Sequence, residues 1–221
     1  MDKMKIFSYL LRTNSCFDFE EYDSFKKNVL SLETKLNEKS KKISTFLKEN
    51  PEGENLEESL CLQIEAIYSE KNSFQKAMYK TLIILLYSSI EIKMKEILKL
   101  YSLINGIDMT ITITNRRDSR SIDEFYYKDI RKKFDENLPG VFSEKDIEFE
   151  MFEELRLLNN CLKHSEIVSE ELNARNQGRW RKGSKIEITK EDLERLESGS
   201  KSFVSNIVKN IISNSQVSNK K

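Results

Sequence analysis

A mostly α-helical fold, a helical bundle with a small β-ribbon, is predicted by three features of the 221-residue sequence. Only two prolines and six glycines punctuate it. Leu, Ile, Lys and Glu recur at spacings of three and four, and the stretch around residues 79–90 is apolar on nearly every face, as the central helix of a bundle must be. With 38% apolar and 33% charged residues, the chain can bury the core of one domain. That domain is read as residues 1–213. Residues 214–221 (NSQVSNKK) carry no apolar period and are expected to form a disordered tail.

The elements follow in order. Residues 18–49 open with Asp18, Glu20, Glu21 and Asp23, which suit the positive end of a helix. Phe25, Val29, Leu32, Leu36, Ile43 and Leu47 then mark one face. Pro51 and Gly53 end this helix, because proline disfavours the helical conformation at Asn50. A second helical stretch begins near Leu56 and reaches Ile104, with a break expected around residues 69–73; its segment 79–90 is the most apolar of the chain. Asn105-Gly106 closes it. Met109, Ile111 and Ile113 alternate with threonines, the period of a short strand. Ser121 and Glu124 form a capping box for a helix to about Asn137, which Leu138-Pro139-Gly140 stops. A helix from near Ser143 carries Ile147, Met151, Leu155, Leu158 and Leu162 on one face and ends near His164. Residues 175–190 read as a basic hairpin arm with a strand at 185–189, and Thr189 N-caps a last helix expected to be interrupted at Gly199.

Composition excludes several functions. The 37 basic and 37 acidic residues cancel, so any polyanion site must be local. The longest apolar run, residues 81–90, is about half the length of a membrane span, and the N-terminus lacks the apolar core and cleavage site of a leader. A cytoplasmic protein without membrane contact is expected. Cys16, Cys61 and Cys161 are dispersed, which disfavours a disulfide framework or a zinc site, so neither metal nor cofactor is expected. Gly-rich phosphate loops and the common hydrolase motifs are absent from the sequence.

The chemistry-bearing stretch is residues 154–172, ELRLLNNCLKHSEIVSEEL, which holds the only histidine. At 100° per residue, Arg156, Asn159, Asn160, Lys163 and His164 form one polar stripe bounded by leucines. Such a stripe suits a groove floor or a self-association seam. It equally suits a helix end where Lys163 and His164 complement the negative pole. A second candidate is the basic stretch 175–190, where Arg175, Arg179, Arg181, Lys182, Lys185 and Lys190 face one acid, Glu187. Trp180 lies between two arginines. Guanidinium groups on phosphates and an indole stacked on a base would hold RNA; a tryptophan docked on the bundle is the competing expectation. By contrast, residues 143–171 contain nine acids against Lys145, Arg156 and Lys163, a poor surface for RNA.

FEELRLLNNCLKH resembles the motif helix of HEPN (higher eukaryotes and prokaryotes nucleotide-binding) domains, all-α proteins common in bacterial toxin-antitoxin and phage-defence systems. LLYSSIEIKMKEILKLY is similar to their central helix, and KIEITKEDLERLESGSKSFVSNI to a closing strand-and-helix unit. The resemblance implies an HEPN-like bundle acting as a homodimer on RNA, such as tRNA or a single-stranded RNA, with a defence or antitoxin protein as a further partner. In catalytic members it implies metal-independent endoribonuclease activity. Histidine would serve as general acid or base at the ribose 2'-hydroxyl, and arginine would offset the phosphorane charge. Here His164 takes the histidine position, Asn160 the polar one and Asn159 the position where arginine is usual, with Arg156 one turn earlier. Glu166 replaces the tyrosine that some toxins carry two residues after the histidine. Two functions are therefore expected to compete: an RNase using His164, Arg156, Asn159 and Asn160, with Lys163, Arg175, Arg179, Trp180, Arg181 and Lys182 on RNA, and a non-catalytic HEPN scaffold that binds RNA, nucleotide or a partner protein.

Overall fold

The apolar run of residues 79–90 lies at the centre of the molecule. The computed structural model describes residues 3–13, 19–49, 54–112, 119–142, 144–176 and 178–217. Seven α-helices account for most of them: α1 (Lys3–Thr13), α2 (Glu20–Glu49), α3 (Glu54–Asn105), α4 (Tyr127–Asn137), α5 (Ile147–His164), α6 (Glu170–Arg175) and α7 (Lys190–Val217). Tyr79, Leu82, Ile83, Leu86, Tyr87, Ile90, Met94, Ile97 and Leu98 of α3 are all buried. They are enclosed by α1, α5 and α7, so the mostly α expectation holds. No helix among the described residues is long and apolar enough to cross a membrane.

Several boundaries differ from the sequence reading. The 52-residue α3 runs unbroken through residues 69–73, because neither proline nor glycine occurs there and serine alone is a weak breaker. At its end Gly106 takes a left-handed φ of 66° and the amides of Gly106 and Ile107 both donate to the Ser102 carbonyl, the expected glycine closure. Helix α1 was not foreseen. Its short stripe of Met4, Phe7 and Leu11 nonetheless buries Phe7 and Leu11 completely, and Phe7 packs edge-on against Tyr101.

The predicted strand is realised only at β1 (Ile111–Thr112), paired antiparallel with β2 (Ser119–Arg120); Ile113 lies outside the described residues. Ser121 and Glu124 do meet, the Ser121 amide donating to the Glu124 carboxylate at 2.9 Å. The turn they open is a 3-10 helix, Ile122–Glu124, and not the helix to Asn137. That helix, α4, starts separately after Tyr126, whose amide donates to Asp129 at 3.2 Å. Helix α5 begins at Ile147, four residues beyond Ser143, which lies outside the described residues. Helix α7 continues through Gly199 and to Val217, four residues into the segment read as a disordered tail; residues 218–221 lie outside the described residues.

Gly199 does not interrupt α7 because its missing side chain is what lets α5 and α7 approach. A Cβ there would lie 2.7 Å from the Met151 Cβ. One helical turn away, Phe152 of α5 stacks on Phe203 of α7 at 4.5 Å and on Tyr87 of α3 at 6.3 Å. Helix α5 is thus held on two sides, by α3 and α7, and this fixes what its polar residues can do.

Candidate functional site

Helix α5 ends in a tight closure. The amides of Ser165 and Glu166 both donate to the Cys161 carbonyl, at 3.0 and 2.8 Å. Glu166 occupies the left-handed region at φ 56°, an uncommon state for a residue with a side chain. Its carboxylate accepts from Lys80 of α3 at 2.6 Å, and that hydrogen bond draws its pKa below the ordinary glutamate range. The turn is therefore pinned to the central helix. The chain then runs back as residues 166–168 and pairs with residues 183–186: Val168 donates to the Ser184 carbonyl, Gly183 to Val168 and Ile186 to Glu166. Only one bridge, Ile167 with Lys185, is strand-like. The expected hairpin with a strand at 185–189 is replaced by this clasp, because Ile186 and Ile188 turn into the core.

The five residues of the expected stripe do not share one surface. Asn160, Lys163 and His164 are exposed at the end of α5, and none of their side chains has a partner among the described residues. Asn159 is 1% exposed. Its Oδ1 is buried without a hydrogen-bond partner. The flanking leucines do not edge a groove; they lie in the core with it, since α5 is covered by both α3 and α7.

Arg156 is half-buried and held from within. Its Nη2 donates to Glu153 at 2.8 Å and its Nε to the same carboxylate at 3.2 Å, while the guanidinium lies 5.1 Å over the Tyr127 ring. Burial pulls the Arg156 pKa down, but the hydrogen bonds and charge of the buried Glu153 outweigh it and hold it above the ordinary value. Burial and the same glutamate push the Tyr127 hydroxyl up. Arg156 lines a polar surface cleft of about 450 Å³ with Glu150, Leu157, Glu171, Ala174 and Arg175. Arg175 in turn pairs with Glu150 at 2.6 Å. His164 lies eight positions after Arg156, a rise of about 12 Å along the helix, and with Arg156 turned onto Glu153 the two are not aimed at one phosphate within a protomer.

Trp180 takes the docked position. It is 1% exposed, and its indole N–H donates to Glu154 at 2.6 Å. A base cannot stack on it there. Glu154 also accepts two hydrogen bonds from Arg195 of α7, at 2.5 and 2.9 Å. Arg179 packs 4.3 Å over the indole and donates to Asp192 at 2.7 and 2.8 Å. Against burial, these hydrogen bonds hold the Asp192 carboxyl below the ordinary aspartate range. Lys182 reaches Glu170 at 2.8 Å with both side chains well exposed. Arg181 and Lys185 are exposed and unpaired among the described residues. The basic stretch is thus largely neutralised by acids of α5, α6 and α7, and one of its free cations, Lys185, lies beside the end of α5 across the bridge to Ile167.

The acids behind this arrangement, Glu153, Glu154 and Asp192, were not singled out in the sequence. The three-residue spacing of Glu153 and Arg156 was the available signal. No family model, curated protein or solved structure matches the chain.

Proposed function

We propose that this chain is an HEPN-type protein that binds RNA without cleaving it, through the exposed end of α5 and the clasp beside it. The observation that carries the reading is the commitment of Arg156 to Glu153. Phosphorane stabilisation needs a cation aimed at the developing charge, and the guanidinium nearest in sequence to His164 is already satisfied by a buried carboxylate, about 12 Å away along the helix. Asn159, at the position where catalytic HEPN proteins carry arginine, points into the core. What remains exposed is a binding set. Lys163, Arg181 and Lys185 supply unpaired positive charge for phosphates, while Asn160 and His164 supply hydrogen-bonding groups for ribose or base edges. Arg175, Arg179 and Trp180 hold the clasp in place, and Lys182 is close enough to the surface to leave Glu170 for a phosphate. By the same resemblance, the protein belongs to a defence or toxin system and works beside a partner protein.

The test is fragment analysis. Pure protein is incubated with mixed tRNA and single-stranded RNA in EDTA, beside His164→Ala and Arg156→Ala. Intact RNA in all three reactions is the expected result. Cleavage that leaves cyclic phosphate ends and disappears in His164→Ala would replace this reading with the endoribonuclease one; its additional loss in Arg156→Ala would mean that Arg156 leaves Glu153 in the reacting complex.

A further inference from the structure

Beyond the base formed by Glu33 and Gln75, α2 and α3 leave the bundle as a two-helix stalk. The base is marked by the Gln75 side chain donating to Glu33 at 2.8 Å and by Lys76 pairing with Glu187. From Glu33 to Glu49 the stalk is about 24 Å long. Its two helices are tied to each other: the Tyr68 hydroxyl bonds Ser40 and Ser44, which lowers its pKa. Among the described side chains, the last buried apolar residue of α2 is Val29 and the first of α3 is Tyr79. Leu36, Ile43, Ile67 and Phe74 are only partly covered, and Phe46 and Leu62 are 49% and 63% exposed. Two helices can cover one seam between them but cannot surround it, whereas four can.

Charge decides which second pair of helices fits. Residues 34–49 of α2 carry five lysines against two glutamates, and residues 54–74 of α3 carry five glutamates against one lysine. Lys35, Lys39, Lys41, Lys42, Lys48, Glu65 and Glu70 are exposed, and none of them forms an ion pair among the described residues. One helix of the stalk is basic and the other acidic in sequence, and the described charges among them are left unpaired. A surface of this kind is complementary to itself. A two-fold axis running along the stalk lays α2 of one protomer over α3 of its partner, and the reverse, so that unlike charges face each other twice. A two-fold axis perpendicular to the stalk would instead place α2 over α2 and repel.

We infer that the stalk is the self-association surface, two copies forming a four-helix bundle with their stalks parallel and face to face. The exposed end of α5 takes no part in this seam and stays open. A partner protein with a mixed-charge helix, or RNA on the basic half, is the competing occupant.

The experiment is sedimentation of the full chain at low and high salt, beside Lys41→Glu/Lys42→Glu and Glu65→Lys/Glu70→Lys. The wild type is expected to be a dimer that weakens with salt. Each variant alone should dissociate at least tenfold more readily, because the first makes the basic helix net acidic against an acidic one and the second cancels the net charge of the acidic helix. An equimolar mixture of the two should regain the dimer, because the unchanged basic α2 of one variant then opposes the unchanged acidic α3 of the other. Circular dichroism identifies any variant that loses helix; in that case the Gln versions of the same four positions and the salt dependence of the wild type serve as the test. A wild-type monomer at about 100 µM, weaker than most specific complexes, would overturn the inference. So would a dimer unaffected by either reversal, which would place self-association elsewhere, or a variant mixture that stays monomeric.

Discussion

Replacing Glu154 by alanine should unlatch the clasp, and the size of the effect can be worked from the contacts. Glu154 is 4% exposed and accepts from Trp180 at 2.6 Å and from Arg195 at 2.5 and 2.9 Å. Breaking a buried ion pair costs about 3–5 kcal/mol; the low end applies here because the Arg195 side chain is 32% exposed and water can partly compensate it. The indole loses a hydrogen bond to a charged acceptor, worth about 1.5–3 kcal/mol. Together the loss is about 5 kcal/mol, a large share of the roughly 5–15 kcal/mol that holds an ordinary domain together. For a chain of this length that corresponds to a melting temperature lower by about 10–20 °C. The assay is built in, because Trp180 is the single tryptophan. Its emission should shift to longer wavelength in native buffer as the indole meets water, and urea titration should give the energy. Glu154→Gln retains the shape and one acceptor and should fall between the two. A Glu154→Ala protein with unshifted emission and a loss below about 1 kcal/mol, the size expected of an exposed ion pair, would refute the account of how the clasp is held.

Three further outcomes follow from single contacts. Gly199→Ala should destabilise by about 1–3 kcal/mol, as overpacking does, and Met151→Ala in the same chain should recover part of that loss in a double-mutant cycle on urea midpoints; strictly additive effects would mean that α5 and α7 do not meet there. Asn159→Leu should raise the unfolding midpoint by about 1 kcal/mol, since an unpaired buried acceptor costs about 1–3 kcal/mol and the bulkier side chain returns part of the gain; a clear loss would mean that Oδ1 has a native partner. Asp192 has a folded pKa below its ordinary 3.8, so its contribution is fully present above that value and is lost as pH falls towards the depressed one. Acid unfolding should therefore begin near pH 4, and Asp192→Asn should flatten the stability curve below that pH while lowering its plateau; an unchanged curve would remove the Arg179 pair from the account.

Much of the architecture was readable from local rules. The Thr189 cap of α7, the Gly106 closure of α3 and the apolar run at its centre each depend on residues close in sequence, and each stands where expected. The misses depend on distant partners. Gly199 was expected to stop a helix by its propensity, but its role is set by Met151 on another element. The 185–189 segment has the alternation of a strand, yet Ile186 and Ile188 find the bundle core instead of a neighbouring strand. The site was legible as a set of residue types and not as an arrangement. Helical periodicity placed Asn159 beside Asn160 and His164, but it could not say that α3 and α7 would cover α5 on both sides and draw Asn159 inside. Nor could the run of arginines and lysines in 175–190 show which acids would claim them, since Glu150, Glu170 and Asp192 lie on three different helices.

The most direct measurement is an anisotropy titration of labelled single-stranded RNA with wild-type protein and with Lys163→Glu/Lys185→Glu, across a range of salt, with the RNA recovered from each sample. The account predicts saturable binding that weakens steeply with salt, at least a tenfold loss in the double variant, and full-length RNA throughout. Wild-type protein that leaves the anisotropy flat at low salt, or that binds equally well after both charges are reversed, would contradict it.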